Sequence, residues 1–163
     1  MSGLEDLYRE IILDHYRNPR LRGELPVPPA HRVEGFNPLC GDEIVLYLTV
    51  DDTGHLAEVK TAGQGCSISQ SSASMMATAV AGCTVEEVRA LTRAFKALMS
   101  IHESKLERDG SGTDTPTPDP EVDLGDLAAL QGVVRFPVRI KCATLSWNAL
   151  TQGLDELGAP PSR

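Results

Sequence analysis

The sequence predicts an α+β fold: a small three-stranded antiparallel sheet accompanied by helices. Three observations carry this. Ile44, Leu46, Leu48 and Val50 alternate with Val45, Tyr47 and Thr49, which is the period of a strand with one buried face. Asp51-Asp52-Thr53-Gly54 is turn chemistry, followed by a returning run from Leu56 to Thr61, so the two strands form a hairpin. From Ser67 onward the pattern switches to the spacing of helices.

The elements follow in order. Residues 4–17 read as a helix, with Leu4, Leu7, Tyr8, Ile11 and His15 on one stripe. Asn18-Pro19 ends it, because the residue before a proline is pushed out of the helical region. Pro26-Val27-Pro28-Pro29 is an extended connector. Residues 32–36 and 43–61 supply the strands, with Asn37-Pro38-Leu39-Cys40-Gly41-Asp42 as the loop between the first two. A helix rich in Ser, Ala and Met runs from Ser67 to Ala81. Its small residues Ser69, Ala73, Ala77 and Ala81 allow close packing, and Gly82 ends it. The Met75-Met76 pair reads as core. Thr84-Val85-Glu86-Glu87 is a capping box opening a further helix, with Val88, Leu91, Phe95, Leu98 and His102 as its buried stripe. Residues 107–121 hold Gly, Ser, Thr, Asp and three prolines without apolar periodicity. They read as a flexible insertion inside one domain spanning residues 1–163. A short helix is expected at 124–130. The last helix runs from about Arg139 to Leu157, burying Trp147, Leu150, Leu154 and Leu157.

Composition excludes several functions. The chain has 163 residues, 41% of them apolar, which suffices for its own core. A net charge of −8 without a basic cluster argues against nucleic acid. The N-terminus lacks the basic and apolar regions of a signal peptide, and no apolar run approaches the roughly 20 residues of a membrane span. A cytoplasmic protein is expected. In a reducing compartment its four cysteines read as metal ligands or reactive thiols before they read as disulfides.

Three cysteines sit at turns or helix starts: Cys40 before Gly41, Cys66 after Gly65, and Cys142 near the start of the last helix. With Asp42 they form three sulfur donors and one carboxylate, a set suited to zinc or to an iron–sulfur cluster. Backbone N–H groups at a helix start stabilise a thiolate, and Lys141 adds a cation beside Cys142. Cys40 lies on a loop and is the ligand freest to move. Cys83 has no ligand-type neighbours and reads as a small hydrophobe. His31, His55 and His102 have no ligand-spaced companions. His15 completes an apolar stripe as a packed residue, with a partner-facing role as the alternative. Arg17, Arg20 and Arg22 read as a solvated patch, docking being the minority reading.

Taken in order, Asp14-His15-Tyr16-Arg17-Asn18-Pro19-Arg20, Asn37-Pro38-Leu39-Cys40-Gly41-Asp42, Gly65-Cys66-Ser67-Ile68-Ser69 and Lys141-Cys142-Ala143-Thr144-Leu145-Ser146-Trp147 resemble the SufU branch of the IscU/NifU-like iron–sulfur assembly proteins. The resemblance covers almost the whole chain. An insertion before the last cysteine helix, matched here by 107–121, is a SufU feature. Phe136-Pro137-Val138-Arg139-Ile140-Lys141-Cys142 departs from IscU: lysine replaces the histidine before the last cysteine, and the chaperone motif is degraded. The resemblance implies helices packed on one face of the sheet and zinc ligands at Cys40, Asp42, Cys66 and Cys142. It also implies transfer of persulfide sulfur from a SufS-type cysteine desulfurase to downstream iron–sulfur assembly machinery. On this reading Cys40 is the sulfur acceptor, and Arg139 and Lys141 are cations behind the ligands or facing a partner. The protein would then be a sulfurtransferase-like carrier. The alternative is a non-catalytic scaffold on which a transient [2Fe–2S] cluster is built. A structural zinc module is the third reading, weakened by the aspartate ligand.

Overall fold

A computed structural model describes residues 3–27, 30–38, 41–107 and 125–157. Cys40, the side chains of Leu4 and His102, and residues 108–121 of the expected insertion lie outside the described residues. The element order is helix α1 (Gly3–Arg17), strands β1 (His31–Asn37), β2 (Asp42–Val50) and β3 (Leu56–Gln64), helices α2 (Ser67–Val80) and α3 (Val85–Glu107), a 3-10 helix (Gly125–Arg135) and helix α4 (Pro137–Glu156). The sheet is an antiparallel meander in the order β1-β2-β3. It has the fold class expected.

Strand alternation decides which face is covered. Val33, Ile44, Leu46, Leu48 and Val59 are all buried on the inner face, while Arg32, Glu34, Phe36 and Glu43 on the outer face are exposed. Helices α2 and α4 cover the inner face, α4 against β1 and β2, and α2 chiefly against β3. The α4 backbone comes close to the sheet at Gly153, where an added Cβ would stand 2.7 Å from Leu48 Cδ1. Helix α2 is buried at every residue from Ser69 to Ala77, because α1 and the 3-10 helix close over it from outside. Small side chains are the physical condition for a helix packed on so many sides. Met75 and Met76 are core residues, and Phe95 stacks on Trp147 with centroids 4.7 Å apart.

The capping box of α3 forms as its sequence predicts. Thr84 N–H donates to Glu87 Oε1 at 2.9 Å, and Glu87 N–H donates to Thr84 Oγ1 at 3.0 Å.

Other expectations need correction. Leu7 is exposed, so the buried side of α1 is Ile11, Ile12 and His15 rather than a stripe through Leu7. Leu157 is also exposed, since it is the C-cap and lies beyond the last covered turn. Helix α4 starts at Pro137, not Arg139: proline has the fixed φ of a first helical position and loses no needed N–H there. Arg20 and Arg22 do not form a simply solvated patch. Arg20 pairs with Asp14, and Arg22 donates to Gly63 O at 2.6 Å and Gln70 Oε1 at 3.3 Å. At Arg22 the chain makes a parallel bridge with Thr61, Thr61 N–H donating to Leu21 O and Gly23 N–H to Thr61 O, which caps the outer edge of β3.

Candidate metal centre

The candidate site lies where β1 ends, β2 begins and α2 starts. Asp42 is the first residue of β2, two before Ile44, so strand alternation turns it to the inner face, where it is fully buried. Its cross-strand partner is Asn37, also buried, and Gly41 N–H donates to Asn37 O at 2.9 Å to close the loop. Cys66 is the N-cap of α2, its Sγ accepting from Ser69 N–H at 3.4 Å. Cys142 comes from α4 and is fully buried. Because α4 begins at Pro137, Cys142 lies in its second turn rather than its first, and the helix-start argument applies only to Cys66.

Asp42, Cys66 and Cys142 each offer a ligand atom, and these atoms lie within 4.8 Å of one another. Asp42 Oδ2 is 3.9 Å from Cys66 Sγ. Burial pushes the Asp42 carboxyl up. Hydrogen bonds from the Cys66 N–H, the Cys142 thiol, Ser69 and the Cys66 thiol outweigh burial and hold it below the usual carboxylate range. The site therefore contains a buried carboxylate facing two sulfur atoms. Ligand atoms of a tetrahedral zinc site are about 3.3–3.8 Å apart, so small rotations of these side chains would bring them onto one ion. The donors fit zinc by chemistry, and their sulfurs equally suit iron–sulfur ligation.

The backbone around the site is shaped for this contact. Gly65 has φ +159°, and an added Cβ would fall 2.5 Å from Asp42 Oδ1 and 2.7 Å from Ser69 Oγ. Only glycine leaves room for the carboxylate there.

Arg139 and Lys141 are exposed on α4, near the exposed Phe136 and Val138. His15 is elsewhere and buried. Its Nδ1 lies 2.8 Å from Ser74 Oγ and its Nε2 lies 2.9 Å from Asp126 Oδ2, so it ties α1 to α2 and the 3-10 helix. That geometry removes the partner-facing alternative and leaves the packed residue. Cys83 is partly buried against the core, with Sγ 3.4 Å from Ala79 O; burial, then the charge of Glu87, pushes its thiol up. Asn37, Ser69 and Gly65 were not expected to shape the site. A signal existed for Asn37: it shares the alternation of Val33 and Gly35 and so points inward.

A small α+β domain with two cysteines and a carboxylate gathered at one end of its sheet is the class that fold and site define. Residues 7–143 match the NifU-like N terminal domain, and the chain belongs to that family. It is 43% identical to the zinc-dependent sulfurtransferase SufU of Bacillus subtilis, over 94% of this chain and 92% of that protein. It is 36% identical to the iron–sulfur cluster assembly scaffold protein IscU of Streptococcus pyogenes, over 94% of this chain and 86% of that one. A solved structure described as a scaffold for the SUF system, from Fervidobacterium islandicum, superposes with a TM-score of 0.71 at 28% identity, over 93% of this chain and 99% of that chain.

Proposed function

We propose that this protein accepts persulfide sulfur from a SufS-type cysteine desulfurase and passes it toward iron–sulfur cluster assembly. The observation that carries the reading is the convergence of Asp42, Cys66 and Cys142 at one end of the sheet. The zinc-dependent sulfurtransferase among the relatives supports it. Cys40, two residues from Asp42, completes the proposed ligand set.

Bound zinc would supply Lewis acidity that keeps the cysteine sulfurs deprotonated. The remaining work falls to the chain. Cys66, at a helix N-cap, and Cys142, inside α4, are anchors fixed by backbone. Asp42 is a hard oxygen donor, less well matched to a thiophilic ion than a fourth sulfur, and would keep the site labile. Cys40 is the acceptor. Its thiolate attacks the outer sulfur of the desulfurase persulfide, forming a new S–S bond while the old one breaks. The electron pair of the broken bond leaves on the desulfurase cysteine as a thiolate. No external oxidant or reductant is needed. Arg139 and Lys141, exposed on α4, provide positive charge for the partner surface.

Among the described residues no helix is long and apolar enough to cross a membrane. The proposal sets the protein in the cytoplasm, where free thiols persist. The scaffold reading is favoured by the IscU-named relatives and by the same sulfur donors.

The deciding experiment combines metal analysis of the purified protein with desulfurase turnover measured in its presence and absence. Bound zinc, strong stimulation and one added sulfur on Cys40 support transfer. An oxygen-sensitive cluster that moves intact to an apo-protein supports the scaffold.

A further inference from the structure

We propose that Asn37 is a positioning residue of the metal centre: its side-chain amide, set between Asp42 and Cys142, fixes a carboxylate oxygen and one sulfur in the arrangement a tetrahedral cation accepts. This rests on the zinc reading above and goes beyond it, since Asn37 is not one of its four ligands.

Asn37 is the last residue of β1 and is 6% exposed. A buried amide must find partners. Here its Nδ2 lies 3.5 Å from Asp42 Oδ2 and 3.7 Å from Cys142 Sγ, the second across 105 residues of sequence. One NH2 group has two hydrogens, so it can serve both ligands at once. With a metal bound, the carboxylate and the sulfur would only accept, so the nitrogen rather than the oxygen of the amide suits the site.

The division of labour on Asp42 is informative. Oδ1 takes the Cys66 N–H at 2.9 Å. Oδ2 is the oxygen that faces Cys66 Sγ and the Asn37 amide. Asn37 therefore acts on the oxygen turned toward the sulfurs. A neutral donor suits the place electrostatically. Three thiolates and a carboxylate around a divalent ion carry excess negative charge, which N–H donors stabilise without displacing a ligand. A cation in the same position would compete with the metal, and an anion would repel the ligands.

The test uses the full-length protein and three variants: Asn37→Asp, which keeps the shape and replaces the donor with an anion; Asn37→Ala, which removes it; and Asn37→Ser, which restores a shorter donor. Zinc affinity is read by competition with a chromogenic chelator. The site is read by the sulfur-to-cobalt charge-transfer and d–d bands of the cobalt-loaded protein. The melting temperature of the metal-free protein is read in parallel. We expect zinc affinity to fall about 10- to 100-fold in Asn37→Asp and Asn37→Ala, with altered cobalt bands and partial recovery in Asn37→Ser. Should Asn37→Asp not fold, Asn37→Ala decides. Affinity and cobalt bands equal to wild type overturn the proposal, as does a lower metal-free melting temperature with unchanged zinc affinity, which would make Asn37 merely structural. Wild-type protein that binds neither zinc nor cobalt overturns the zinc reading beneath it, and this proposal with it.

Discussion

Cys66 donates its backbone N–H to Asp42 Oδ1 at 2.9 Å, joining residues 24 apart in sequence. The bond couples the N-cap of α2 to the first residue of β2. It makes the placement of one expected ligand depend on the backbone of another. It also helps keep the Asp42 carboxylate ionised in a position with no solvent exposure.

That coupling depends on Gly65. A methyl group there would meet Asp42 Oδ1 at 2.5 Å and Ser69 Oγ at 2.7 Å, on a backbone with φ +159°. Gly65→Ala should displace Asp42, lower zinc affinity at least about tenfold and destabilise the fold by roughly 1–3 kcal/mol. Chelator competition and thermal melting check this. Wild-type affinity in the variant would show that the carboxylate does not need the space.

Much of this site could be read in the sequence, for local reasons. Asp42 precedes the alternating Ile44, Leu46 and Leu48, so its inward direction follows from strand period alone. The Thr84–Glu87 cap is a local pattern and formed as expected. Relationships that depend on distant chain segments were not legible. The Asn37 amide meets Cys142 across 105 residues, and His15 meets Asp126 across 111. Leu7 and Leu157 fit apolar stripes, yet periodicity does not reveal where the covering layer stops. Pro137 was a local signal for the start of α4, and reading it would have put Cys142 in the second turn.

The α3 cap gives a pH prediction. Hydrogen bonds with the Thr84 backbone and then its side chain hold the Glu87 carboxyl below its ordinary value. A depressed carboxylate contributes stability above its unfolded pKa, about 4.3 for glutamate, and loses it as pH falls through the folded value. Glu87→Gln should therefore be less stable than wild type at neutral pH, with the difference shrinking below about pH 4. Urea midpoints measured from pH 7 to pH 3 test it. A difference that persists unchanged at low pH would mean that the carboxylate charge is irrelevant to the cap. Thr84→Ala should cost about 1 kcal/mol at neutral pH.

Residues 107–121 hold three prolines and no aliphatic or aromatic side chain, a composition that predicts an insertion independent of the core. Replacing residues 109–120 with a short Gly/Ser linker should leave zinc content unchanged and the melting temperature within a few degrees. Closing a shorter loop costs little, since loop entropy changes by only about 0.6 kcal/mol per doubling of length. A large loss of stability would show that the segment packs against the core and that its composition misleads.

The last prediction separates the cysteines by how each is held. Cys66 is fixed as the N-cap of α2, and Cys142 is fully buried within α4, so both should anchor the metal. Cys66→Ser and Cys142→Ser should lose zinc and melt lower, because a metal site that holds three elements together contributes directly to folding. Cys40 precedes Gly41 in a segment whose sequence predicts a loop. Cys40→Ser should keep the fold and retain appreciable zinc, yet lose desulfurase-dependent sulfur loading almost completely. Cys83→Ser should change neither zinc nor loading: its thiol is partly buried, lies 3.4 Å from Ala79 O and is pushed away from the reactive thiolate by burial and then by Glu87. Zinc content, melting temperature and persulfide mass across the four variants test the set. If Cys40→Ser still loads sulfur while Cys142→Ser, with zinc intact, does not, the acceptor is Cys142 and loop mobility is the wrong criterion for choosing it.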